Sequence, residues 1–196
     1  MGFSCCTQRN RGRSFKGTDC VLKGPLLKAP NVSVCMAVSK EDGVIYHSVQ
    51  NNAFNAETFA QFIKDLIEKC KQLHHEKICF VMDNVRMHKT EQSIKEQCSK
   101  NNIDILFLPK YSPELNPIEK VFSVLKAHIK KLLRTKYYEE LLDSAKKPWG
   151  LKGRTREKII NDALKESLPN ITKEYMEKLW EDMLEVFDKV YKNEDI

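Results

Sequence analysis

The sequence predicts an α/β domain, a mixed β-sheet flanked by helices, with a helical extension at its C-terminal side. Three observations carry this. Residues 32–38 and 44–49 are β-rich runs separated by Glu41-Asp42-Gly43, which has the Asp-Gly chemistry of a hairpin turn. Beyond them, helical apolar stripes alternate with short continuous apolar runs at 78–82 and 103–108. Two strand–helix–strand steps in succession favour parallel strands joined by right-handed crossovers. After residue 136 no strand pattern recurs.

Each element has a local reason. Asn55 is placed to cap a helix in which Phe59, Phe62, Ile63, Leu66, Ile67 and Cys70 follow one apolar stripe. The runs 78–82 and 103–108 read as strands buried on both faces, with a short helix at about 90–100 between them. Pro109 and Pro113 bound the stop after the second run. Asn116 then caps a long helix with Pro117 at its first position. Ile118, Val121, Phe122, Leu125, Ile129, Leu132 and Leu133 are its expected buried face. Residues 146–154, with Pro148, Gly150 and Gly153, read as a loop. Thr155 and Thr172 are expected to start two further helices, the second burying Met176, Leu179, Trp180, Met183, Phe187 and Val190.

Composition bounds the function classes. The chain has 196 residues, 31% of them charged and 41% hydrophobic, so it is neither disordered nor fibrous. Its length suits one domain with a small appendage. No apolar run approaches the ~20 residues of a membrane span, and no secretion signal opens the sequence, so no membrane partner is expected. The seven cysteines are odd in number and none has C-x-x-C spacing, which argues against a disulfide framework or a zinc ribbon. A reducing, intracellular setting fits them.

Charge is unevenly placed. Residues 1–136 hold 22 Lys and Arg against 13 Asp and Glu, a balance of +9, whereas 137–196 balance at −3. Lys120 to Lys136 includes no acid. The segment 9–28 adds Arg11, Arg13 and Lys16 among six cations against Asp19. Such clusters suit a polyanion such as nucleic acid; a solvated basic face produces the same pattern.

Two acids stand out by position. Asp83 follows the run 78–82, so it should emerge at the carboxyl end of the sheet, where α/β proteins place ligand sites. Glu119 lies in the first turn of the helix after the next strand. If those strands are neighbours the two carboxylates converge, and such a pair suits Mg²⁺. Both have structural alternatives: Asp83-Asn84 could terminate a strand, and Glu119 occupies the glutamate position of a capping box behind Asn116. Glu119, Ser123, Lys126 and Lys130 share one helix face, which places cations beside the acid. His88 could contact phosphate or pack at a helix start, and Tyr111 could stack on a base or brace the Pro-rich loop.

The sequence around these acids resembles a known family. Val81-Met82-Asp83-Asn84-Val85-Arg86-Met87-His88-Lys89 resembles the second-aspartate motif of mariner-type DDE (Asp-Asp-Glu) transposases. Residues 106–126, through Leu108-Pro109-Lys110-Tyr111-Ser112-Pro113-Glu114-Leu115-Asn116-Pro117-Ile118-Glu119-Lys120, are similar to its third-acid motif almost residue for residue. The 35 residues between Asp83 and Glu119 lie in the family's range. Weaker similarity runs upstream through residues 11–17 and 55–59.

The resemblance implies an RNase H-like catalytic domain at 1–135 and a helical extension at 136–196. It implies DNA strand cleavage and strand transfer with two Mg²⁺ or Mn²⁺ ions held by three acids, Asp83 being the second and Glu119 the third. Lys126, Lys130, Arg11, Arg13, Lys16, His88 and Tyr111 become candidate DNA contacts. Asn84, Asn116 and Pro117 become structural members of the site. The family's first aspartate commonly precedes a stretch like Met1-Gly2-Phe3. By that alignment it falls ahead of Met1, as does the usual helix-turn-helix region. Asp19 and Asp42 do not fit the role. The expectation is therefore a catalytic domain with an incomplete first strand, inactive as it stands. The alternatives are a co-opted DNA-binding fragment or a partner of full-length transposase, and a homo-oligomer is possible. The family implies a nuclear location in a eukaryote and a cytoplasmic one otherwise.

Overall fold

In the computed structural model the described residues are 1–3, 13–20, 31–74, 77–83, 92–110, 112–147 and 149–192. Their strands form two ladders. β1 (Gly2–Phe3), β2 (Val32–Ser39) and β3 (Gly43–Gln50) make an antiparallel sheet in that order, and β4 (Ile78–Met82) pairs in parallel with β5 (Ile103–Phe107). The expected hairpin is present. The Asp42 backbone N–H donates to Ser39 Oγ at 2.9 Å, and Gly43 takes φ +71°, a conformation glycine adopts without steric cost.

Helices cover the two faces of the β1–β2–β3 sheet. α1 (Ala56–Gln72) and α2 (Gln92–Lys100) bury one face, with Phe59, Phe62, Ile63, Leu66, Ile67 and Cys70 all inside as their spacing predicts. α3 (Pro117–Arg134), α4 (Tyr138–Lys146), α5 (Trp149–Ser167) and α6 (Lys173–Tyr191) gather on the other. Strand alternation sorts β2 between the layers: Val32, Val34 and Met36 enter the second core, Cys35 and Ala37 pack on the first. The second core joins β2 and α3 to Ile159, Ile160, Leu164 and Met176, so the helical extension and the sheet share one interior.

Asn55 makes a full capping box with Thr58. Its Oδ1 accepts from Thr58 N at 2.8 Å, and its own N–H donates to Thr58 Oγ1 at 3.0 Å. Asn55→Ala is expected to cost about 1 kcal/mol, read as a lower urea midpoint with unchanged slope.

Several expectations need correction. β4 and β5 are not buried on both faces: Val81 and Leu106 are about half exposed, 54% and 55%. α1 and α2 take the face carrying Ile78, Phe80 and Ile105, while the other helices collect over β1–β2–β3. Residues 149–154 are the first turns of α5 rather than a loop, and Thr155 lies inside the helix, donating back to the Leu151 carbonyl at 2.9 Å. Gly153 has a packing reason, since a Cβ there would stand 3.3 Å from the Asn51 side chain. Thr172 does cap α6, accepting from Tyr175 N at 3.2 Å. Phe187 does not join the buried face; it is exposed with Leu184, because α6 runs past the core. Helix α4, unanticipated, buries Leu141 completely.

Candidate active site

The parallel register brings the ends of β4 and β5 side by side. Met82 lies opposite Phe107, and Leu108 N donates to the Met82 carbonyl at 2.9 Å. Asp83 is the next residue and is exposed. After β5 the chain turns through a 3-10 segment, Pro113–Leu115, anchored by buried Leu115, and enters α3. Asn116 caps α3 by accepting from Ile118 N at 3.4 Å, and Pro117 stands at the first position.

The capping-box reading of Glu119 fails on a specific bond. The amide that such a glutamate would accept, Asn116 N–H, already donates to the Pro113 carbonyl at 3.0 Å. Glu119 is exposed, and its carboxylate is held by no hydrogen bond or ion pair among the described residues.

The first residue reports where these groups meet. Met1 extends β1: its amine donates to the Val34 carbonyl at 2.8 Å, and its own carbonyl accepts from Val34 N at 2.7 Å. Burial holds that amine below its ordinary value, and so does the charge of Lys126. Cys35, Glu119 and Asp83 act in the opposite direction. Both acids and Lys126 therefore lie within electrostatic reach of one backbone position. Cys35, beside it, is pushed up to about 12, chiefly by burial and further by the charge of Asp83, so its thiol is not a nucleophile. Sequence reading missed Met1 and Cys35 as neighbours of the acids; only the β1–β2 register reveals them.

Lys126 is half-buried and Lys130 exposed, on the same helix face as Glu119. Lys120 instead pairs with Asp182 of α6 at 3.0 Å. Arg13 and Lys16 are exposed around a turn in which Thr18 N donates to the Phe15 carbonyl at 3.0 Å. No hydrogen bond or ion pair joins that turn to the acids among the described residues. Arg11, Asn84, His88 and Tyr111 lie outside the described residues.

Asp83 and Glu119 carry hard carboxylate oxygens, the donor type an oxygen-seeking divalent ion takes. Among the described residues no group of three His, Cys, Asp or Glu side chains could hold a metal.

The fold thus sets one acid, Asp83, at a strand end and the other, Glu119, in the first turn of a lysine-bearing helix, and an α/β domain with acids so placed belongs to the class that carries ligand sites at the carboxyl ends of its strands. The DDE superfamily endonuclease model matches residues 1–142, and the chain belongs to that family. Among solved structures, the Mos1 strand transfer complex is similar at 18% identity and a TM-score of 0.50, covering 82% of this chain and 50% of that one. The Mos1 mariner paired-end complex with Mn is similar at 18% identity and a TM-score of 0.50, covering 84% and 52%. The chain thus spans about half the length of these transposase chains, and the likeness establishes an RNase H-like fold. No curated protein matches. No helix among the described residues is long and apolar enough to cross a membrane.

Proposed function

We propose that this chain is the catalytic-domain portion of a mariner-type DDE transposase, built for metal-dependent DNA strand cleavage and strand transfer. The observation that carries the reading is the match of the DDE superfamily endonuclease model to residues 1–142, with Asp83 directly after β4 and Glu119 in the first turn of the helix that follows its partner strand β5. Asp83 and Glu119 would hold Mg²⁺ or Mn²⁺ through carboxylate oxygens. When bound, the ions stabilise the attacking and leaving oxygens of a phosphodiester. Asn116 and Pro117 fix the first turn of α3 and hence the Glu119 backbone. Lys126 and Lys130 attract the phosphate backbone along the same face. The 1–135 and 136–196 segments are proposed as catalytic and accessory parts, acting on nuclear DNA in a eukaryotic cell.

The complexes formed by the Mos1 relatives support DNA as the partner. The 196 residues offer two acids of a three-acid set, so binding without cutting is the expected behaviour of the chain as it stands. Purified protein should bind duplex DNA of any sequence, with affinity falling steeply with salt. Replacing Lys126 and Lys130 by Gln should lower the slope of log affinity against log salt by about 1.8, since each phosphate contact contributes about 0.9. Salt-independent binding, or strong preference for one arbitrary duplex, would sink the reading.

A further inference from the structure

A second set of cations lines the outer edge of the sheet. Arg154, Lys158, Asn161 and Lys165 of α5 recur at i, i+4, i+7 and i+11, forming one stripe about 16.5 Å long at 1.5 Å per residue. The first three, with Glu157 and with His47, Ser48 and Val49 of β3, line a groove of about 420 Å³. Arg154, Lys158 and Lys165 are exposed, and none enters an ion pair among the described residues. Glu157 is the one carboxylate lining the groove.

The groove is held in shape rather than left to mobile side chains. Asn51 Nδ2, just past β3, donates to Glu157 Oε2 at 2.6 Å, and Gly153 lets α5 approach Asn51 closely. His47 is half-buried and lines the groove together with Asn161. Burial lowers its pKa, the Asn161 side chain opposes that, and the Lys165 charge adds to the lowering.

Strand register sets the groove level with the acids. Val49 lies opposite Val34, whose backbone holds Met1. Two strand spacings, roughly 10 Å, therefore separate Val49 from Met1, and the Met1 amine feels Asp83 and Glu119. His47 and Val49 share the face of Met36 and Val34, the side on which α3 and Glu119 lie.

We propose that the β3–α5 groove is a second contact for the phosphate backbone of a DNA duplex, separate from Lys126 and Lys130, guiding the duplex past the acids. This rests on the DNA-binding reading above. An open stripe of three spaced cations matches an extended polyanion better than a single anion: one DNA strand carries a phosphate every 3.4 Å of axis, so 16.5 Å faces about five. The Asn161 amide adds a neutral donor of the kind that positions a backbone without reading sequence.

The test is duplex binding by the whole chain across a salt series, using one arbitrary 20-base-pair duplex. R154Q/K158Q/K165Q should lower the slope of log affinity against log salt by about 2.7, while E157Q should tighten binding. The amide signals of His47 and Asn161 should shift when duplex is added to the unsubstituted chain. If the triple variant melts early, K165Q alone is read, with a slope change of about 0.9. An unsubstituted chain that fails to bind duplex overturns the DNA reading and this groove with it. An unsubstituted chain that binds, with variant slopes unchanged and His47 unmoved, overturns the groove alone.

Discussion

Residues 1–196 are expected to leave supercoiled DNA intact in Mg²⁺ or Mn²⁺, and the same chain with Asp-Glu placed directly ahead of Met1 is expected to nick it. The register gives the reason. Gly2 lies opposite Ser33, and Met1 exchanges backbone bonds with Val34, so the two added positions would oppose Cys35 and Met36. Side chains alternate along a strand, which puts the added aspartate on the face of Met1 and Met36, the side of α3 and Glu119. The charge of Asp83 already reaches Met1 and Cys35. A third carboxylate there completes a ligand set. Metal stabilisation of the transition state supplies several kcal/mol, so a gain of about 10³-fold or more in nicking rate is expected. Asp83→Asn in the extended chain should return it to background. Robust nicking by residues 1–196, lost in Asp83→Ala, would place the first acid within the chain. An inactive extended chain would undo the catalytic reading of Asp83 and Glu119.

Much of the scaffold was legible because its causes are local. The α1 stripe needed only helical period, and Asn55 and Asn116 only the chemistry of their side chains. The two acids were singled out because one follows an apolar run and the other lies in the first turn of a helix. What sequence patterns report is periodicity, not partners. The runs at 78–82 and 103–108 look doubly buried, yet Val81 and Leu106 stay open because the covering helices went to the other strands. Pro148, Gly150 and Gly153 read as a loop because helix-interior glycine costs about 1 kcal/mol; the contact of Gly153 with Asn51, a hundred positions away in sequence, accounts for one of them. That misreading hid the α5 stripe, since a loop ending at Arg154 cannot be aligned with Lys158 and Lys165.

Removing residues 136–196 is expected to unfold the chain, although every strand among the described residues and the third-acid motif would remain. Leu125, Ile129 and Leu133 of α3 are fully buried, and the side chains beside them include Leu141 of α4, Ile160 and Leu164 of α5, and Met176 of α6. Burying one such side chain contributes about 1.5–3 kcal/mol, and the whole stability of a domain is about 5–15 kcal/mol. Uncovering α3 and the second-core face of β2 would therefore exceed the margin several times over. Single substitutions should grade the same effect. Ile160→Ala and Leu164→Ala, completely buried in the extension, should each cost about 2–5 kcal/mol. Exposed Leu184→Ala in the outer half of α6 should change stability by less than about 0.5 kcal/mol. Urea unfolding followed by circular dichroism and by tryptophan fluorescence should give one coincident transition, since Trp180 packs on that shared core. A folded 1–135 fragment with a cooperative transition of its own would show instead that the sheet and α3 are sufficient. The helices after residue 136 would then be an accessory layer rather than half of the interior against which the Glu119 helix is held.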